Sequence, residues 1–169
     1  MAKSMNVAGQ TLIKTGSVVL GVAIEEPSAM FRIVPHEAEF HDTGSGPDIP
    51  RKVIYTGRTA VISATLGDCD HEEILLLSKA PGAASAAAGI GQIGTLGADV
   101  TTFPITLEPL RSGLLAYTFP TCRFREEWTN ENWGVGHVNR WSLVLESYPD
   151  PTALNTSTTA LFTTSVVGD

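Results

Sequence analysis

Basic residues are scarce in this chain: eleven Lys and Arg stand against eighteen Asp and Glu, for a net charge of −7. The few cations are scattered from Lys3 to Arg140 rather than clustered. That argues against a surface built to grip nucleic acid, which needs grouped Lys and Arg to neutralise phosphates. Cysteine is nearly absent as well. Cys69 and Cys122 stand alone, without a CxxC or a Cys/His zinc spacing, so both are expected to behave as small buried hydrophobes. No apolar run approaches the ~20 residues of a membrane-spanning helix. The N-terminus also lacks the unbroken apolar block and small-residue cleavage site of a secretory leader, so synthesis in the cytosol is expected.

Catalytic signatures are missing too. There is no GxSxG elbow, no P-loop and no HExxH. Gly89, Gly91 and Gly94 spell GxGxxG within "AAAGIGQIGTLG". A dinucleotide fingerprint needs a strand before it and a helix opening from it, whereas "PGAASAAA" precedes this match and "TLGADVTTF" follows. It reads as a flexible Ala/Gly loop. His36, His41 and Asp42 lie near one another, and His71 precedes Glu72 and Glu73, but neither group has ligand spacing. Glu25-Glu26 and Glu126-Glu127 are adjacent pairs, which on strands point to opposite faces and make poor acid–base partners. Trp128, Trp133 and Trp141 raise the idea of a sugar-stacking site, against the plainer reading of a turn with aromatic anchors. No catalytic residue, cofactor site or metal site is expected.

What is present is strand pattern. Apolar residues make up 43% of the 169, enough for one domain with a sizeable core. Residues 12–24 are rich in Val, Leu and Ile and read as a short strand or hairpin. In "AMFRIVPHEAEF", Met30, Arg32, Val34, His36, Ala38 and Phe40 share one parity and Phe31, Ile33, Pro35, Glu37 and Glu39 the other. Pro35 limits this strand to an edge, a bulge or an end. The turn-rich "HDTGSGPDIP" leads into "RKVIYTGRTAVISATL", the longest strand signal. Simple alternation there groups Ile54 with Ala60, Ile62, Ala64 and Leu66, and groups Val53 and Tyr55 with Thr59, Val61 and Thr65. Two long strands around a polar loop predict an extended hairpin projecting from a body.

"GDCDHEEILLLSKAPG" predicts a helix near residues 70–80. Asp70 and Glu73 have capping-box spacing, Asp68 is a second candidate cap, and Pro81-Gly82 supplies a stop. Strand signals return at "DVTTFPITLEPL", "GLLAYTFPTCRF" and "HVNRWSLVLESY". After Tyr148 the chain becomes Thr-rich and nearly uncharged, the composition of an arm that orders against a neighbour. The expected fold is mainly β (α+β): a β-barrel or sandwich with one flanking helix, a long projecting hairpin and extended terminal arms. The expected divisions are an arm over 1–15, the β domain over 16–148 and an extension over 149–169.

In this order and spacing, from "SVVLGVAI" through the long hairpin, the acid-capped "DCDHEEILLLSKA", the Ala/Gly loop and "LAYTFPTCRF" to "GHVNRWSLVLES", the chain resembles the tail tube proteins of long-tailed bacteriophages. The resemblance covers roughly Gly16 to Ser147 and rests on element order, not on a diagnostic motif. It implies a structural virion protein, not an enzyme, that assembles into stacked hexameric rings. These would form the hollow tail through which DNA passes, built in the cytoplasm of the bacterial host. The implied partners are further copies of the chain, the tape measure, terminator and baseplate or tip proteins, and a sheath where the tail is contractile. The implied contact residues are His41, Asp42, Thr43, Ser45, Pro47, Asp48, Ile49 and Pro50 in the hairpin loop, with the N-terminal arm and the tail from Tyr148 and Pro149. A tail terminator or connector ring, a capsid decoration protein and a carbohydrate-binding or carbohydrate-active β domain are the alternative readings.

Overall fold

A computed structural model describes residues 4–6, 10–23, 29–40, 52–67, 69–78, 98–125, 129–131, 140–149 and 160–168. Its strands are β1 (Ser4–Asn6), β2 (Thr11–Thr15), β3 (Val18–Ala23), β4 (Ala29–Phe40), β5 (Lys52–Gly67), β6 (Phe103–Pro109), β7 (Leu115–Phe124), β8 (Thr129–Glu131), β9 (Arg140–Ser147) and β10 (Thr163–Val166). One short helix, α1 (His71–Ser78), lies among the described residues. The chain is mainly β, and the strands form one antiparallel sheet in the order β1-β4-β5-β3-β2-β6-β7-β9-β8, with β10 also on β7.

Alternation decides which way the strands of the body face. Ile13 on β2, Ile105 and Leu107 on β6, and Leu143 and Leu145 on β9 are buried, while their neighbours Leu12, Lys14, Thr106, Val144 and Glu146 are half-exposed. That outer face is tied by polar cross-strand pairs: Lys14 Nζ to Glu108 Oε2 at 2.6 Å, and the Thr106 and Thr118 hydroxyls at 3.1 Å. Gly16, at φ 57°, turns β2 into β3 through a conformation that a Cβ would disfavour. β2 is thus part of the sheet, with Thr11 and Ile13 in the interior, and β1 joins the same sheet through β4.

β5 organises the molecule. Along its Ala60–Leu66 stretch it pairs with β9 on one edge, while the other edge carries β4 as far as Ala64 and then β3 at Leu66 and Gly67. From β3 the ladder continues through β2, β6 and β7 to β9, which brings it back to β5. The side chains turned inward along this path, among them Phe31, Ile62, Leu66, Leu20 and Phe119, form the core. Burying them is the main favourable term holding the fold, at roughly 25 cal/mol per Å² of apolar surface removed from water.

Helix α1 begins where the sequence expects. Asp70 Oδ1 accepts from the Glu73 backbone N–H at 3.1 Å, and acidic Glu72 and Glu73 sit at the positive end of the helix dipole. The reciprocal half of a capping box is absent, because the Asp70 N–H donates instead to the Leu20 carbonyl at 2.8 Å, anchoring the helix start to β3. Ile74 enters the core and Leu77 packs against it, whereas Leu76 faces solvent, so the apolar face is narrower than the Leu run suggests. Gly21 makes this docking possible: a Cβ there would lie 3.0 Å from the Cys69 Cβ and 3.2 Å from its Cα. The expected stop at Pro81-Gly82 and the Ala/Gly loop lie outside the described residues.

The C-terminal segment departs from the expected arm over residues 160–168. β10 pairs in antiparallel register with β7, Thr163 opposite Thr118 and Val166 opposite Leu115. Phe162 packs into an aromatic cluster, its ring centroid 5.4 Å from Phe119, 5.6 Å from Phe31 and 5.8 Å from Tyr117. Such tilted pairs contribute beyond their buried area. The composition of a polar tail concealed one aromatic plug that ties it back to the body.

Candidate functional site

The β4–β5 ribbon is where the chain extends beyond its core. Over Ala29–Ile33 and Ala60–Ala64 the ribbon is body: Phe31 and Ile62 are buried, and β9 covers the second edge of β5. From Val34 to Phe40 and from Lys52 to Thr59 the two strands pair with each other, and no other described strand joins them. Pro35 lies in this outer part, opposite Arg58, at an edge beside a bulge as its missing N–H requires.

The register changes between His36 and Glu37. His36 lies opposite Gly57 and Glu37 opposite Tyr55, which leaves Thr56 as the extra residue of a β-bulge. Gly57 takes φ 140°, a backbone region that L side chains rarely enter. The insertion inverts the alternation of β5 beyond it and corrects the grouping expected from simple parity. Tyr55 and Val53 share the face of Arg58 and Ala60, while Ile54 shares that of Thr59 and Val61. Two contacts agree: Arg58 Nε donates to the Tyr55 hydroxyl at 2.8 Å with its guanidinium 5.8 Å from that ring's centre, and His36 Nε2 lies 2.9 Å from Thr59 Oγ1.

Each face of the outer ribbon therefore has its own character. One carries Val34, Ala38, Phe40 and Ile54 together with Arg32, His36 and Lys52. The other carries Glu37, Glu39, Val53, Tyr55 and Arg58. Phe40 and Tyr55 are each 53% exposed, Val53 47% and Ile54 38%. Phe40 and Ile54 stand on the first face and Val53 and Tyr55 on the second, so each side of the ribbon offers a small exposed apolar pair, as a contact surface would.

The contact residues expected from sequence fall in three places. His41, Asp42, Thr43, Ser45, Pro47, Asp48, Ile49 and Pro50 lie outside the described residues. Tyr148 and Pro149 are half-buried at the end of β9. The Tyr148 N–H donates to the Thr121 carbonyl at 3.2 Å, and Arg123, paired with Glu146 at 2.9 Å, places its guanidinium 5.5 Å from the Tyr148 ring centre. Tyr148 is thus fastened to the body rather than standing at the root of a free arm. Phe40, Val53, Ile54 and Tyr55 are exposed outside the contact residues expected from sequence, and Gly57 inside an otherwise β-branched run is the signal for the bulge that sets their sides.

Among the described residues no group of three or more His, Cys, Asp or Glu is placed to hold a metal ion. His36 bonds to Thr59, while His41 and Asp42 are not described. Trp141 is a core residue opposite Leu66, whereas Trp128, Trp133 and the glycine-rich loop lie outside the described residues. Cys122 is fully buried and Cys69 partly so, both as free thiols. Burial pushes the Cys122 thiol up to about 12. A thiol held protonated so far above neutrality is no nucleophile. No described helix is long and apolar enough to cross a membrane. No protein-family model matches the chain, and no curated protein is found as a relative.

Proposed function

We propose that this chain is a structural subunit that self-associates through its β4–β5 ribbon, and that the assembly is the ring-stacked tube of a bacteriophage tail, a conduit for DNA. The observation that carries the reading is the ribbon itself: two paired strands running past the core with Phe40, Val53, Ile54 and Tyr55 exposed. A monomer gains nothing by keeping such residues in water, whereas an assembly recovers their burial. The returning ladder from β5 to β9 supports a small barrel as the body of each subunit, with α1 against it. A net charge of −7 suits a conduit, since a basic lumen would hold DNA by its phosphates. Interfaces between unlike surfaces generate rings when the rotation closes and filaments when it does not, and a tube of stacked rings uses both.

Negative-stain electron microscopy of the purified protein across a concentration series tests this. Hollow tubes or stacked rings with a pore wide enough for duplex DNA are the expected outcome. Rings that never stack would favour a terminator or connector instead. Protein that stays monomeric throughout overturns the reading.

A further inference from the structure

We infer that residues 160–168 form a detachable strap, which when closed seals one edge of β7 and an aromatic pocket, and which releases as a unit while the rest of the sheet stays formed. The strap works within one chain and does not depend on the assembly proposed above. β6 lines one edge of β7. The other edge is shared, Cys122–Phe124 going to β9 and Leu115–Thr118 to β10. The ladder from β5 round to β9 is complete without β10, which lies off its path and, among the described strands, pairs with β7 alone. Its release breaks no other pairing in the sheet.

What holds the strap is local. Thr163–Val166 pair with β7, and just beyond them the Val167 N–H donates to the Leu114 carbonyl at 3.0 Å while the Val167 carbonyl accepts from the Gly113 N–H at 2.9 Å. Every side chain of β10 is exposed, so burial adds nothing to this pairing. The apolar hold is Leu161 and Phe162, both only half-buried, with the Phe162 ring against Phe31, Tyr117 and Phe119. β9, by contrast, sends Trp141, Leu143 and Leu145 into the core. A segment with few buried contacts opens at a lower free energy than the core it rests on. The connection allows this. Tyr148 is bonded to Thr121, and Thr163 lies opposite Thr118, about 10 Å further along β7. Residues 149–162 join these points, and a chain of that length reaches ~45 Å when extended. Release lays bare an unpaired strand edge, a template for further pairing, together with three aromatic rings. The closed strap covers both.

Hydrogen exchange read by mass spectrometry through a series of low urea concentrations tests it on the unaltered chain. Residues 160–168 are expected to exchange about thirtyfold or more faster than residues 140–147, with a shallower dependence on urea because opening exposes little surface. Ile13→Val weakens the core on β2, a strand that pairs with neither β7 nor β10. It should speed exchange over 140–147 about fivefold and leave 160–168 within about twofold. Phe162→Ala should speed exchange over 160–168 about tenfold or more, with circular dichroism to verify that both variants fold. Should 160–168 exchange as slowly as 140–147 with the same urea dependence, or follow it in Ile13→Val, the segment opens only with the whole fold and the inference is overturned. An unchanged rate over 160–168 in Phe162→Ala overturns the ring as its latch.

Discussion

The Ser147 hydroxyl, buried at the end of β9 beside Cys122, finds no hydrogen-bond partner among the described residues. A buried polar group left unpaired is destabilising, so Ser147→Ala is expected to be neutral or to stabilise the fold by about 1 kcal/mol, read as the urea midpoint. Cys122 gives a pH signature. Its folded-state value is raised to about 12 from an ordinary 9.0, so the unfolded chain loses this proton first as pH rises. Stability from this group is whole below pH 9.0 and declines between 9.0 and about 12, on the order of 1 kcal/mol per pH unit. Comparing the alkaline unfolding slopes of the unaltered chain and Cys122→Ala isolates that contribution from the Lys and Tyr titrations common to both. Equal slopes would show that the thiol is not sequestered in the folded protein.

At the scale of elements, α1 depends on its first turn. Asp70→Ala removes the acceptor for the Glu73 N–H and is expected to cost about 1 kcal/mol, measurable by thermal or urea unfolding. The same cap was legible in the sequence because Asp70, with Glu73 three residues later and an apolar run following, has the spacing of a helix start. β2, β6 and β9 were legible as strands, and their burial shows the pattern behind the signal: one face is wet and the other dry, so Ile13, Ile105, Leu107, Leu143 and Leu145 alternate with half-exposed neighbours. Two elements were not. β10 reads Thr163-Thr164-Ser165-Val166 with every side chain exposed, so no alternation exists to detect, and its hold on the body comes from backbone pairing and the neighbouring Phe162. The outer half of β5 misled for the opposite reason. Its alternation is strong, yet one extra residue at Thr56 inverts it, and a period-two pattern cannot register a bulge without attention to Gly57. Two long strands in this region were therefore anticipated, and they pair, whereas the side on which each apolar residue stands was not foreseen.

For the whole molecule, the fold and the proposed assembly draw on different residues. The core cluster takes its β4 and β5 members from Ala29, Phe31, Ala60, Ile62 and Leu66, with Ile33 and Ala64 packed against it, and nothing from 37–40 or 52–55. The outer ribbon is thus carried by the body without contributing to its interior. Replacing residues 37–56 by an Asn-Gly turn, which joins the paired His36 and Gly57 by two residues, should leave the unfolding free energy within about 1 kcal/mol. Assembly, in contrast, should disappear at every concentration where the unaltered chain forms particles. Removing residues 160–169 makes the informative contrast, because it withdraws Phe162 from its contacts with Phe31, Tyr117 and Phe119. A half-buried ring of this size is expected to cost somewhat less than the ~3–5 kcal/mol of a fully buried Phe. The two deletions should therefore separate, one abolishing association with stability kept and the other lowering stability with the ribbon intact. A ribbon deletion that unfolded the domain would show that the outer strands support the core, contrary to the burial pattern. One that folded and still assembled would move the interface elsewhere on the molecule.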